Sequence, residues 1–221
     1  MHYLFDRFYK RYDDWYNRHR YAYLSEVMAL RKVMPRKGRG IEIGVGTGRF
    51  AAPLGIKTGI DPSKKMLSIA RQRGIKTRWG HGESLPFSAN SFDYAALIVT
   101  LCFVEDPEKV LREAWRILRK KSTLVLGLIV KDSPLGRLYA KKSSAFYDTA
   151  RFFTQKQLSQ MLKKTGFEIL KTYRTLSKHP GVMTAVEIPV KGQKGKGSFV
   201  VVQCRKTACR KVKKHEKKDR I

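Results

Sequence analysis

Cysteine is scarce in this chain: Cys102, Cys204 and Cys209 are the only three in 221 residues. An odd, sparse set supplies neither a disulfide framework nor the paired spacing of a zinc site, so no metal is expected. Acidic residues are few as well, 18 against 47 Lys and Arg, which leaves a net charge of +29. That balance favours encounter with anions, nucleic acid or an anionic membrane surface. Long apolar runs are missing. The longest, residues 97–104 and 124–130, fall far short of the roughly 20 needed to span a bilayer. No secretory leader is recognised, because the first residues are aromatic and charged rather than basic and then apolar. A cytoplasmic protein is expected.

Hydrophobic residues make up 42% and aromatics 11%, too rich for a disordered chain. The length suits one domain plus appendages, with a single core. Basic residues crowd the end: residues 205–221 carry nine Lys and Arg, two acids and almost nothing apolar. That segment is expected to be solvated or disordered, with a nucleic-acid or membrane arm as the sharper alternative.

Residues 4–34 contain no Gly or Pro and read as two successive helices rich in aromatics, among them Tyr12, Trp15 and Tyr16. Short apolar strands then alternate with helices. Strands are expected at 40–43, 56–60, 75–78, 94–99 and 123–130, with Pro53 ending the short helix after the first. Ser63 is the expected N-cap of a helix over 63–73. Asp106-Pro107-Glu108 opens another helix, with an N-cap acid, Pro at the first position and an acid in the first turn. Residues 133–150 read as an inserted helical segment containing Tyr139, Phe146 and Tyr147. Thr154 and Gln157 have capping-box spacing, and strands follow at 167–176 and 198–203, with a Gly/Lys loop at 191–197 between them. This rhythm specifies an α/β fold, a doubly wound, mostly parallel sheet. Its ligand site lies beyond the carboxyl ends of the strands, near strand one.

Glu42-Ile43-Gly44-Val45-Gly46-Thr47-Gly48 is the strongest local signal. Glycines between a strand and its helix let a ligand approach the backbone closely. The dinucleotide pattern G-x-G-x-x-G is not met, since Arg49 stands at the third glycine's place. An acid inside strand one, Glu42, suits an ammonium group better than a pyrophosphate. Asp61 closes strand two, where a carboxylate can accept hydrogen bonds from vicinal ribose hydroxyls. Read alone, it is equally a helix N-cap.

These segments, with Glu83-Ser84-Leu85-Pro86-Phe87, Asn90-Ser91-Phe92-Asp93 and Asp106-Pro107 leading into Leu111-Arg112-Glu113-Ala114, resemble successive motifs of class I S-adenosylmethionine-dependent methyltransferases. The likeness runs over residues 40–126 and is nearest to the branch of quinone-biosynthesis and small-molecule enzymes. It implies a Rossmann-like methyltransferase domain over 39–204, a helical lid at 1–38 and S-adenosyl-L-methionine as cofactor, with S-adenosyl-L-homocysteine as product. It also implies roles: Glu42, Gly44, Gly46, Thr47 and Gly48 along the methionine part, Asp61 on the ribose, and Pro62 and Met66 beside the adenine. Gly82 and Glu83 would follow the adenine edge, and Thr100 and Leu101 the methionine chain. His81 stands where relatives often have Asp or Asn; it either bonds the adenine amino group or is merely exposed. Lys120-Lys121-Ser122 replaces the Pro-Gly-Gly turn usual before strand five.

Transfer by inline displacement asks the protein mainly to align nucleophile, methyl and sulfur. A general base helps only when the nucleophile arrives protonated. Tyr12, Asp13, Asp14 and His19 are the weak base candidates, and the aromatics of the first helices and the insert are core or lid lining. Cys102 lacks an activating neighbour, so a buried, inert thiol is expected. His179 and Glu187 lie in a loop that borders the substrate pocket or is simply a connection. A small-molecule acceptor is favoured. Nucleic acid is the alternative suggested by charge, although Thr100-Leu101-Cys102-Phe103 lacks the acid-or-Asn, Pro-Pro, aromatic run of base-amine methylating enzymes. A non-catalytic cofactor- or partner-binding protein is the third reading.

Overall fold

The computed structural model describes residues 2–192 and 195–207. Two helices come first, α1 (His2–Arg18) and α2 (Arg20–Arg31). Then follow β1 (Gly40–Ile43), α3 (Ala51–Leu54), β2 (Thr58–Asp61), α4 (Lys64–Gln72), β3 (Lys76–Trp79) and β4 (Phe92–Ile98). The chain continues through α5 (Pro107–Ile117), β5 (Leu118–Ile129), α6 (Pro134–Tyr139), α7 (Gln155–Lys164), β6 (Phe167–Thr175), β7 (Val190–Lys191) and β8 (Phe199–Lys206). The eight described strands form one sheet in the order β3-β2-β1-β4-β5-β8-β6-β7.

Strand order reverses at β1, which pairs in parallel with β2 on one side and β4 on the other. The crevice beyond the carboxyl ends of β1 and β4 is therefore the place for a ligand. β3 to β5 pair in parallel, whereas β8 runs antiparallel between β5 and β6. Strands β1 and β4 are buried almost throughout, as a sheet covered on both faces demands. One apolar cluster joins α5 and α7 to one face of the sheet, through Val110, Leu111, Leu158 and Leu162. The other places Leu30 of α2, Ala51 of α3 and Leu67 of α4 on the opposite face.

Local capping follows the sequence. Ser63 caps α4 by accepting from the Met66 amide, Asp106 caps α5 by accepting from Lys109, and Thr154 with Gln157 closes a full capping box. Other boundaries differ. Pro53 stands one residue inside the end of α3 rather than at its end, in the first turn, where backbone N–H groups have no partner within the helix. Only the start of the insert is helical: α6 ends at Tyr139, and residues 140–150 form turns fastened by Ser144 and Asp148. Residues 190–191, expected in a loop, add an edge strand by pairing with β6. The last strand also outruns its expected end and takes Arg205 and Lys206 out of the tail. Lys206 is buried, its ammonium 3.9 Å from the Trp115 ring centroid and donating to the Leu118 carbonyl. An alkyl stem and a cation–π partner let a lysine enter the sheet where charge counting saw only tail. The rest of the expected tail from residue 208, Cys209 included, lies outside the described residues. Among the described residues no helix is long and apolar enough to cross a membrane.

Candidate active site

The turn after β1 bends at Gly44, Gly46 and Gly48, whose φ values are +73°, +51° and +79°. These left-handed conformations suit glycine because no Cβ meets the backbone. At Gly44 the packing is tight as well, since an added Cβ would lie 2.2 Å from Thr100 Cγ2. At Gly46 the space is open: the nearest atoms would be Met66 Sδ at 3.5 Å and Tyr12 Cε1 at 3.8 Å.

Two carboxyls converge on this bend. Asp61, at the end of β2, accepts 2.8 Å hydrogen bonds from the amides of Gly46 and Ser63. Burial raises its pKa to about 6, even though those amides act to lower it. Glu42 is 1% exposed, and its Oε2 has no hydrogen-bond partner. Burial first, then the charge of Asp61, pushes its carboxyl well above the usual range, against one amide donated by Ala51. The charges of Glu42, Asp61 and Glu26 all act on Tyr12. An orphaned buried oxygen, a second acid and a glycine bend with room above it fit a ligand that brings an ammonium group and ribose hydroxyls.

The other expected contacts are distributed unevenly. Met66 is buried against the bend, and Thr100 donates to the Gly44 carbonyl at 3.3 Å. Pro62 is half-buried and its carbonyl accepts from the Trp79 indole. Gly82 faces Ile43 and Val110, while Glu83 accepts from the Glu105 amide. His81 is exposed, its ring edge-on to Trp79. Leu101 is 2% exposed and belongs to the core cluster, and Gly48 packs on Ala70. Thr47 turns away from the bend and donates to Asp13 at 2.6 Å.

That contact belongs to a clamp on α1. Asp13 bridges Arg49 at 2.6 Å and Arg73 at 2.8 Å. Burial opposes its ionisation, but the hydrogen bonds from Arg73, Arg49 and Thr47 prevail and hold its carboxyl far below the usual range. A carboxylate with both oxygens so engaged is a tether and a poor proton acceptor, which corrects the expectation that Asp13 is a base. Arg49, noticed in the sequence only as an intruder in a glycine pattern, supplies half of the tether. A second tie lies nearer the start of α1, where Asp6 accepts from the Ser63 hydroxyl at 2.6 Å and the Lys65 amide at 3.2 Å.

Beside the bend lies a cavity of about 360 Å³. Tyr12 stands between the two spaces, lining the cavity while its ring edge rests near Gly46. Tyr16 donates to its hydroxyl at 2.8 Å, and burial raises the Tyr12 phenol far above its ordinary value, which makes it a poor base. Trp15, Phe146 and the stacked pair Tyr139 and Tyr147, 4.6 Å apart, add aromatic walls. His19 also lines the cavity, stacked on Trp15 at 4.5 Å with Nδ1 2.9 Å from the Trp15 carbonyl. Asp14 is exposed and lines a surface hollow with Arg11, Asn17 and Arg18. Cys102 lines the wall, its thiol pushed up to about 12 by burial. His179 reaches the cavity, whereas Glu187 instead caps the amides of Ser177 and Lys178.

Several cavity residues escaped the sequence reading, among them Arg11, Arg18, Lys142, Val99 and Glu26. Val99, just after β4, has φ +53°, a strained conformation for a β-branched side chain. Glu26 of α2 is 4% exposed, and its Oε2 has no partner. The signal for Glu26 was present: an acid four residues from Ala22 and four from Leu30 lies in the buried stripe of its helix.

Known proteins now bear on this geometry. Residues 41–126 match the family described as Methyltransferase domain. A crystal structure from Thermotoga maritima superimposes with a TM-score of 0.90 and 46% identity over 94% of this chain and all of that one. It is described as a SAM-dependent methyltransferase, possible histamine N-methyltransferase. An uncharacterised protein of Methanocaldococcus jannaschii is 42% identical over 205 residues, 92% of this chain and 98% of the relative. A demethylmenaquinone methyltransferase of Thermotoga maritima is 28% identical over 161 residues, 58% of this chain and 69% of the relative. With a glycine bend and two converging acids at the switch point of its sheet, this chain belongs to the S-adenosylmethionine-dependent methyltransferases and is an enzyme of that family.

Proposed function

We propose that the enzyme methylates a small molecule held in the aromatic cavity beside the glycine bend. The observation that carries this reading is the cavity itself: about 360 Å³, walled largely by aromatic side chains and adjoining the bend at Tyr12. That volume is within the range of small-ligand sites, roughly 300–1,000 Å³. When bound, S-adenosylmethionine supplies the electrophilic methyl on a sulfonium centre. Glu42 takes the ammonium end, Asp61 the ribose hydroxyls, and Gly44 and Gly46 leave room for the chain between. Met66 and Pro62 flank the base, and His81, Gly82 and Glu83 follow its edge. Thr100 steadies the bend from β4. Helix α1 acts as a lid, fastened by Asp6 and Asp13, and its Tyr12 and Trp15 exclude water and face the cationic sulfur. Orientation is the main contribution, worth on the order of 7–11 kcal/mol of barrier.

The demethylmenaquinone and histamine names of relatives both denote non-macromolecular acceptors that carry a flat ring, in keeping with such walls. The charge of +29 favours a nucleic-acid acceptor instead. Labelled S-adenosylmethionine incubated with a panel of small aromatic compounds, and separately with transfer RNA and DNA, decides between them. Label in a small aromatic compound and none in nucleic acid is expected; the converse overturns the reading.

A further inference from the structure

The cavity has a direction. Its deep wall holds Glu26, buried and with an unpartnered oxygen, while Arg11, Arg18 and Lys142 line it from exposed positions. A buried carboxyl left without a partner costs free energy unless something completes it. Three exposed cations select an anionic group, and aromatic walls select a flat ring. Asp14 shares a surface hollow with Arg11 and Arg18 but does not line the cavity, whose other titratable groups are tyrosines, His19, His179 and Cys102.

We infer that Glu26 is the proton acceptor of this site and that the methyl acceptor is a small aromatic acid. Its hydroxyl or ring N–H faces Glu26, and its carboxylate faces Arg11, Arg18 and Lys142. The inference rests on the cavity being the acceptor site. In the transfer, the nucleophile's proton passes to the Glu26 carboxylate. The freed lone pair forms the new bond to the methyl carbon, and the C–S bonding pair stays with sulfur, so the sulfonium of the co-substrate becomes a thioether. The proton returns to solvent as the product leaves. Burial sets the Glu26 carboxyl near 8, suited to a base working close to neutrality. The groups that sense its charge are Tyr12 and Tyr16 of α1, Tyr23 of its own helix and Tyr139 of α6, all weak acids raised by burial.

The test uses the full chain saturated with S-adenosylhomocysteine and follows tryptophan fluorescence, since Trp15 lines the cavity. The probes are para-hydroxyphenylacetate, para-methylphenylacetate, which lacks the protic group, and para-cresol, which lacks the anion. The hydroxy acid should bind at least tenfold more tightly than either analogue, and its advantage over the methyl analogue should grow as pH rises through about 8. Glu26→Gln should erase that advantage without changing the affinity for the methyl analogue or for S-adenosylhomocysteine, and Lys142→Ala should weaken both acids but not the cresol. Equal binding of the three probes by the wild-type chain overturns the inference, as does a Glu26→Gln chain that keeps the preference. If S-adenosylhomocysteine binds and no probe does at millimolar concentration, the acceptor class is wrong while the enzyme assignment stands. If S-adenosylhomocysteine itself fails to bind, the underlying site fails.

Discussion

The two halves of the site are built by different means. The cofactor side is backbone: a glycine bend, two strand-end acids and parallel strands that hold them in register. The acceptor side is side chain: aromatic rings, a buried glutamate and surface cations, drawn from α1, α2, the turn after β4, the insert and the loop after β6. Backbone sites depend on local spacing, so they tolerate little change but are shared widely. Side-chain sites assembled from distant segments tune to one substrate. The clamp on α1 joins the halves, because Asp13 reaches from the aromatic helix to Arg49 beside the bend.

Mutations should separate the halves. Asp61→Ala should lower S-adenosylhomocysteine affinity on the order of 100-fold or more by calorimetry, and it should also destabilise the fold by about 1–3 kcal/mol by stranding two amides. Glu26→Gln, by contrast, should leave that affinity unchanged. An equal loss in both would merge the two regions into one.

Asp13→Ala removes the clamp and should cost about 2–3 kcal/mol in denaturant unfolding, while speeding proteolysis within α1. Its carboxyl lies below the unfolded value, so this contribution is complete above the ordinary carboxylate range and is lost as pH falls through the depressed folded pKa. In the Asp13→Ala chain that acid limb should flatten.

Gly46→Ala sharpens the contrast from the backbone side. The added methyl meets only ordinary contacts in the protein, so stability should fall by about 1 kcal/mol, yet cofactor affinity should fall about tenfold as the methyl enters the ligand's space. A loss in stability alone would show the glycine to be merely conformational. The pH dependence of cofactor affinity belongs to the same half. Asp61 is raised to about 6 and accepts freely on both oxygens only when ionised, so affinity should be full above that pH and decline as pH falls through it. The smallest effect is expected outside both halves. Lys121, in the irregular start of β5, has φ +60°, and Lys121→Gly should stabilise by roughly 0.5–1 kcal/mol in thermal unfolding.

Legibility in the sequence followed the same division. The strand ends at Gly40 and Ile43, the caps at Ser63, Asp106 and Thr154 and the glycine bend depend on neighbours within a few residues, and all are where spacing puts them. Glu26 and Val99 join the site through tertiary contact, and Arg49 finds Asp13 thirty-six residues away, a pairing that local pattern does not encode. Lys206 shows the opposite error. Composition assigned it to a solvated tail, whereas strand pairing with Phe167 and the Trp115 ring draw it inward.

The most direct test is a crystal structure of the full chain with S-adenosylhomocysteine. The account predicts ribose hydroxyls on Asp61, the amino group toward Glu42, and the sulfur beside Tyr12, facing the aromatic cavity. A nucleoside bound away from Asp61, or a sulfur pointing away from that cavity, would contradict it.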